Sequence, residues 1–217
     1  MEPIVSAVKG RRRYDASGRR EQARRNRQAV LDVAQQRFLD DGYAATTVAA
    51  VAGAAGVSVD TIYKAFGGKP GLVRALYERG LTGHGPVPAY HRSDAMRERE
   101  VDPRTILRNW GALTAEVAST VNPIRLLVRA AADTDPDMAA LVADSNADRL
   151  RRMRHNARAL AERGFLRDGV TPAQAADIMW TCSSPEFFEL LVLRRGWSLR
   201  RFGRYVGDCL IAGLLPE

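Results

Sequence analysis

The sequence predicts an all-α protein, a three-helix N-terminal domain followed by a C-terminal helical bundle. Three observations predict it. Apolar residues recur at helical spacing from residue 21 onward, no segment sustains period-two alternation, and Gly or Pro punctuates the chain between the periodic stretches. The 217 residues suit a small domain joined to a larger one, and an apolar fraction of 46% is enough for a core.

Residues 1–20 read as a flexible basic arm, with Lys9, Arg11, Arg12, Arg13, Arg19 and Arg20 among Gly, Ser and Asp. Such an arm either follows nucleic acid or merely keeps the chain soluble. Residues 21–41 read as a helix, with Ala23, Val30, Ala34 and Phe38 on one face and Gly42 as a left-handed stop. Thr46 or Thr47 can cap a second helix carrying Val48, Val51 and Ala52 inward, and Gly53 and Gly56 bracket its end. Ser58 can cap a third, through Phe66, and Pro70 suits the first turn of a fourth. Residues 81–101, with Gly83, Gly85, Pro86 and Pro88, read as a linker or the frayed start of a helix. The remainder, 102–217, divides into helices over 103–120, 123–133, 136–164, 172–182, 185–195 and 198–214, each bounded by Pro or Gly.

Charge and cysteine usage narrow the function. Residues 1–80 carry 14 Lys/Arg against 8 Asp/Glu, so most of the net +8 sits in the first third. That asymmetry points to a polyanion, nucleic acid before lipid. Cys182 and Cys209 match no zinc or redox spacing, which suits a reducing cytosol and two core residues. The start of the chain lacks the apolar stretch of a signal peptide, and no apolar run approaches the ~18–20 residues of a membrane span, so a cytoplasmic protein is expected. His84, His91 and His155 have no Cys or carboxylate at ligand spacing, and Ser183-Ser184 has no partner His. No catalytic constellation, metal site or cofactor is expected.

Residues 47–66 have the layout of a helix-turn-helix, two short helices turning tightly at Gly56, the second placed to enter a major groove. Val48, Val51, Ala52, Val57, Ile62 and Phe66 can share a core with Val30, Ala34 and Phe38, leaving Val59, Asp60, Thr61, Tyr63 and Lys64 outward. A tyrosine left outside is suited to a phosphate hydrogen bond.

The run Thr46-Thr47-Val48, Ala54-Ala55-Gly56-Val57-Ser58, Thr61-Ile62-Tyr63, Phe66 and Lys69 resembles the DNA-binding domain of the tetracycline-repressor (TetR) family over about residues 22–80. Beyond that span the likeness is one of helix count and length. The resemblance implies an all-α homodimer on double-stranded DNA, with a C-terminal domain (102–217) for ligand binding and dimerisation, and repression relieved by a small molecule. It also implies that Thr47, Thr61, Tyr63 and Lys69 bind phosphates, while Val59, Asp60 and Lys64 approach base edges. Asp60 stands where the family often has Gly, and two readings stay open for it: accepting from cytosine N4, or capping its own helix.

In the bundle, Trp110, Met153, Trp180 and Phe187 are candidates for lining an adaptable apolar cavity, whose effector would be mostly hydrophobic. Arg125 and Arg129, one turn apart, are either ion-pair formers or anion receivers in a pocket. The last two helices have the apolar content for a twofold interface through Leu190, Leu191, Leu193, Phe202, Tyr205, Leu210 and Leu214, so the operator should be near-palindromic. Two alternatives stand beside the ligand-released repressor: a DNA-binding regulator without a small-molecule site, and a helical ligand-binding protein that has lost DNA binding.

Overall fold

The structure is a computed structural model that describes residues 16–85 and 87–217. Among these the chain is all helix and no strand: α1 (Ala16–Ala45), α2 (Val48–Ala55), α3 (Val59–Phe66), α4 (Lys69–Thr82), α5 (Ala89–Arg99), α6 (Pro103–Ala131), α7 (Pro136–Glu162), α8 (Pro172–Cys182), α9 (Pro185–Phe188), a π-helical stretch Glu189–Arg194, and α10 (Leu199–Leu214). Most of the basic arm lies outside the described residues, and its last five, 16–20, are already helical. The regular helix of α1 is interrupted at Gly42, whose backbone is left-handed as expected. The kink there has φ 82 and ψ 168, and the helix resumes through Ala45.

Capping chemistry sets seven of the other helix starts. Thr47, Ser58, Asp102, Asp135, Thr171, Ser184 and Ser198 each cap the helix that follows with a side-chain oxygen. Each satisfies backbone N–H groups that have no partner inside the helix.

Two expectations give way to packing. The linker over 81–101 holds an eleven-residue helix, α5. Its buried positions are Ala89 and Ser93, residues too small and too polar to show as an apolar stripe. The break expected at Asn122-Pro123 is absorbed, and α6 runs unbroken for 29 residues. Pro123 removes one helical hydrogen bond, a cost of about 3 kcal/mol or more. Val121, Ile124 and Val128, all buried on either side of it, hold the helix together across that point.

Two apolar clusters divide the interior. The first joins Val30, Ala34, Phe38, Val51, Ala52 and Ile62 to Leu72, Val73 and Leu76 of α4, and continues into Val121 and Ile124 of α6. The second surrounds the other half of α6, with Ile106, Leu107 and Trp110 against Phe202, Val206 and Leu210 of α10. Helix α4 is therefore shared: its first turns belong to the helix-turn-helix core, and its end is clamped to α6. There the Thr120 hydroxyl donates to Gly80 O at 2.7 Å.

The α6–α10 crossing is close because glycines line it. A Cβ on Gly111 would lie 2.3 Å from Gly203 O and 2.7 Å from Gly207 N. Gly111→Ala is expected to force the helices apart and cost on the order of 1–3 kcal/mol. Gly53→Ala, on an exposed helical position with nothing within 4 Å, is expected to add about 0.5–1 kcal/mol. Urea unfolding of the two variants beside the parent checks both signs.

Candidate nucleic-acid interface and bundle cavity

The helix-turn-helix is built from local chemistry. Thr46 is buried, and its hydroxyl oxygen lies 2.8 Å from Gly42 O and 3.1 Å from Arg37 O, closing the end of α1. Thr47 is then the cap of α2, its Oγ1 accepting from Ala50 N–H at 3.1 Å. Because that oxygen accepts, the hydroxyl hydrogen remains free to donate outward. Gly56 ends α2 in the left-handed region at φ 66, a conformation that a side chain opposes. Ser58 caps α3 by accepting from Thr61 N–H, so the two helices meet at a turn only three residues long.

Helix α3 buries Ile62 and presents Val59, Asp60, Thr61, Tyr63 and Lys64 to solvent. Tyr63 is 55% exposed, an outward aromatic with its hydroxyl free of any protein partner among the described residues. Thr61 shares a 2.8 Å hydroxyl contact with Ser58. Asp60 does not cap its helix, since Ser58 does; its carboxylate pairs with Lys64 Nζ at 2.7 Å. The pair is exposed and weak in solution, so a base edge or phosphate can compete for either partner. Lys69 is the member least free to reach outward. Its ammonium lies 4.1 Å over the Tyr43 ring and 3.4 Å from Ala44 O, and partial burial lowers its pKa.

Two features were not read from the sequence. Arg27 reaches from α1 to the end of α3, with Nη1 3.1 Å from Ala65 O and the guanidinium 4.3 Å over Phe66. Tyr43, just past the kink at Gly42, donates its hydroxyl to Asp135 Oδ2 at 2.8 Å, tying the helix-turn-helix to the cap of α7. Nothing in local spacing signals either, since their partners are 38 and 92 residues away.

The bundle encloses a cavity of about 350 Å³ between α4, α5, α6, α7, α8 and α10. It lies where the two apolar clusters meet: Tyr77 and Val121 come from the first, and Trp110, Met179, Val206 and Leu210 from the second. Of the four residues expected to line it, Trp110 and Met153 do. Trp180 and Phe187 do not. The Trp180 ring is covered by the Arg149 guanidinium at 4.2 Å, and Phe187 packs on the rings of Phe202 and Tyr205. The lining is also less apolar than expected, with Arg125, Arg149 and Arg152 beside Asn122 and Asn156. Arg125 lies at this cavity, whereas Arg129 pairs with Glu186 at 2.9 Å and Glu189 at 2.6 Å. Trp110 Nε1 donates to Ser93 Oγ at 2.8 Å, fixing α5 over one wall. Cys182 also faces the cavity, but burial pushes its thiol up to about 11, leaving little thiolate at neutral pH.

The Tyr43 hydroxyl holds Asp135 below the ordinary carboxylate range, with the N–H groups of Met138 and Asp137 adding to the effect. A carboxylate with a depressed folded pKa contributes stability above its unfolded pKa of about 3.9 and loses it as the pH falls through the folded value. Tyr43→Phe is therefore expected to move the Asp135 titration upward toward its ordinary value and to narrow that acid-dependent contribution. An NMR titration of the Asp135 carboxyl carbon in the two proteins checks it.

Residues 30–76 match the family model of the bacterial regulatory proteins, tetR family. No protein of curated function matches the chain at a significant level. Among solved structures, the complex of SmeT with triclosan aligns at a TM-score of 0.70 and 20% identity, covering 89% of this chain and 93% of that one. SmeT is the repressor of the Stenotrophomonas maltophilia multidrug efflux pump SmeDEF. NalD, the secondary repressor of the MexAB-OprM multidrug efflux pump in Pseudomonas aeruginosa, aligns at 0.69 and 19% identity over 91% of this chain and 99% of its own. A putative transcriptional regulator from Saccharomonospora viridis in complex with choline aligns at 0.66 and 18% identity over 89% and 100%. At these identities the likeness of structure is one of fold; over residues 30–76, from α1 into α4, the chain is similar to the bacterial regulatory proteins of the tetR family.

Proposed function

We propose that this chain is a dimeric, cytoplasmic repressor that binds a near-palindromic operator and leaves it when a small molecule fills the bundle cavity. The observation that carries the reading is α4. One helix contributes Leu72, Val73 and Leu76 to the core that positions α3, and Tyr77 and Leu81 to the cavity wall. A ligand that displaces Tyr77 or Leu81 moves the same rigid rod on which the recognition helix is seated. Such a ligand acts only through a difference in affinity between the DNA-competent and DNA-incompetent shapes. The fold does not dictate ligand charge, since relatives of this shape hold triclosan in one case and choline in another.

On DNA, Thr47, Thr61, Tyr63 and Lys69 are assigned to phosphates, and Val59, Asp60 and Lys64 to base edges. Lys69 must first leave the Tyr43 ring. Phosphate contacts position the protein and base contacts specify it. One recognition helix covers only a half-site, so two copies are needed. Of the seven residues expected at the dimer interface, Phe202, Leu210 and Leu214 are buried in the chain's own core and drop out. Leu190, Leu193 and Tyr205 remain exposed along the π-helical stretch and α10, with Leu191 half-buried. They form the apolar face on which a second copy can pack.

Tyr63→Phe and Lys69→Ala are expected to weaken binding of every sequence alike, and Lys69→Ala to flatten the salt dependence by about one unit of slope per subunit. Lys64→Ala is expected to relax selectivity at one base pair per half-site by about 1–3 kcal/mol. Fluorescence anisotropy on operator DNA selected by the protein, against scrambled DNA at two salt concentrations, tests all three. Equal loss on both DNAs for Lys64→Ala would remove its base-reading role. Leu193→Asp is expected to yield a monomer in sedimentation at micromolar concentration, with loss of operator binding.

A further inference from the structure

Among the described residues, the cavity holds a buried cation, Arg149, that is in no ion pair. Arg149, on α7, is 7% exposed. Its Nη1 donates to Trp180 O and lies 3.3 Å from Ser183 Oγ, and its Nη2 lies 3.4 Å from Asn146 Oδ1. These partners are all neutral, and the Nε–H has none. The Trp180 ring beneath offers partial compensation at 4.2 Å. Three other arginines of the bundle are in ion pairs: Arg92 with Glu116, Arg129 with Glu186 and Glu189, Arg152 with Asp94. A charge this buried without a partner is costly unless something else completes it.

The neighbours of Arg149 increase the deficit. Among the described residues Arg125, on the same cavity, is in no ion pair, and its partners are Asn122 Oδ1 at 3.4 Å and the Tyr77 ring at 5.5 Å. The two guanidiniums oppose one another, and with burial as the larger cause they bring Arg149 down to about 10. It still carries its proton at neutral pH. Glu186 acts in the opposite sense, but its carboxylate is held by Arg129. Asn122 is buried with its Nδ2 unpartnered. The described lining thus gathers two cations in no ion pair and two unpartnered donors, Arg149 Nε and Asn122 Nδ2, with one unpartnered acceptor, Asn156 Oδ1. The one carboxylate among the described lining residues, Asp148, is engaged by Arg151. The opposite walls are apolar, with Trp110, Leu113, Val206 and Leu210.

We propose that the effector of this cavity is an amphiphile with an oxyanion head, a carboxylate or a phosphate monoester. The head is seated against Arg149, Arg125 and Asn122, and the apolar body lies between α6 and α10. This rests on the reading that the cavity takes an effector at all. Planar guanidinium forks suit oxygen pairs of either head, and a charge-assisted bond inside an apolar wall is stronger than a neutral one. The site also differs from a merely apolar pocket in what it rejects. A neutral body of the same shape leaves both cations and both donors unsatisfied, and a cationic head adds a third like charge.

The test is a matched ten-carbon series: decanoate, decyl phosphate, decanol and decyltrimethylammonium, each below its aggregation threshold. Binding to the full chain is read by calorimetry and thermal shift, and operator release by anisotropy. Decanoate or decyl phosphate is expected to bind at least about tenfold more tightly than decanol, with the ammonium weaker still. The better of the two anions identifies the head. Arg149→Met is expected to abolish the anion preference while leaving decanol binding in place. It is also expected to raise the melting temperature of the free protein, because an unpaired buried cation is replaced by an apolar chain of similar length. Arg125→Gln, at a less buried position, should reduce the preference part-way and keeps the test valid if Arg149→Met fails to fold. Decanol or the ammonium binding as well as the anions, or an anion preference that survives in the Arg149→Met protein, overturns the proposal. In the first case binding that releases DNA leaves the effector reading standing. Tight anion binding without release upholds the head group and overturns the release mechanism instead, and no binding by any of the four overturns both.

Discussion

The structure depends on α4 being one rigid helix with two obligations. Its first turns complete the core under the recognition helix, and its last turns are clamped to α6 through Gly80 and Thr120. The close fit at Gly80, where a Cβ would come within 2.9 Å of Val121 Cα, leaves no room for slippage there. Arg92 adds a second clamp, bonding Thr82 O at 3.1 Å while paired with Glu116. Close-packed interiors respond to a change in shape by shifting packed elements as units. Between its two fixed ends, α4 passes the cavity at Tyr77, so one helix borders both the cavity and the core under α3.

The helix-turn-helix domain was legible because its instructions are local. Thr47, Gly56, Ser58 and the Gly67-Gly68 pair each act within four residues, through caps and left-handed backbone that only certain side chains permit. The bundle was legible as helices but not as an arrangement. Over 81–101 the sequence leaves linker and frayed helix start open, because Ala89 and Ser93, the buried residues of α5, contribute contact rather than hydrophobicity. Pro123 has a local preference for a helix break, which the apolar packing of α6 overrides.

The cavity shows the same limit more sharply. Periodicity identifies a face but not the neighbour that covers it, so Trp110 and Trp180 were indistinguishable in sequence. One lines the cavity, and the other lies beneath a guanidinium. Arg149 was hidden for the opposite reason. It sits in a stretch with Arg151, Arg152, Arg154 and Arg158, which has the composition of a solvated helix face. Only the packing of α7 against α8 sets Arg149 apart, turning it inward where its neighbours stay wet or paired.

That one inward arginine changes the energetics of the bundle. An apolar cavity that is empty loses contacts but carries no charge deficit, and any greasy molecule of the right size relieves it. A cavity with an unneutralised cation is less stable empty, and only an opposite charge recovers the difference. The gain on binding is then concentrated at one end of the ligand, next to Tyr77 and hence next to α4. On the proposed reading, a bound oxyanion would draw Arg125 toward itself and away from the Tyr77 ring, and the charge selecting the ligand would act beside α4. Differential affinity between two shapes requires a group whose surroundings differ between them. In this chain Arg125 meets that condition, standing between the buried cation and the helix that carries the DNA-binding domain.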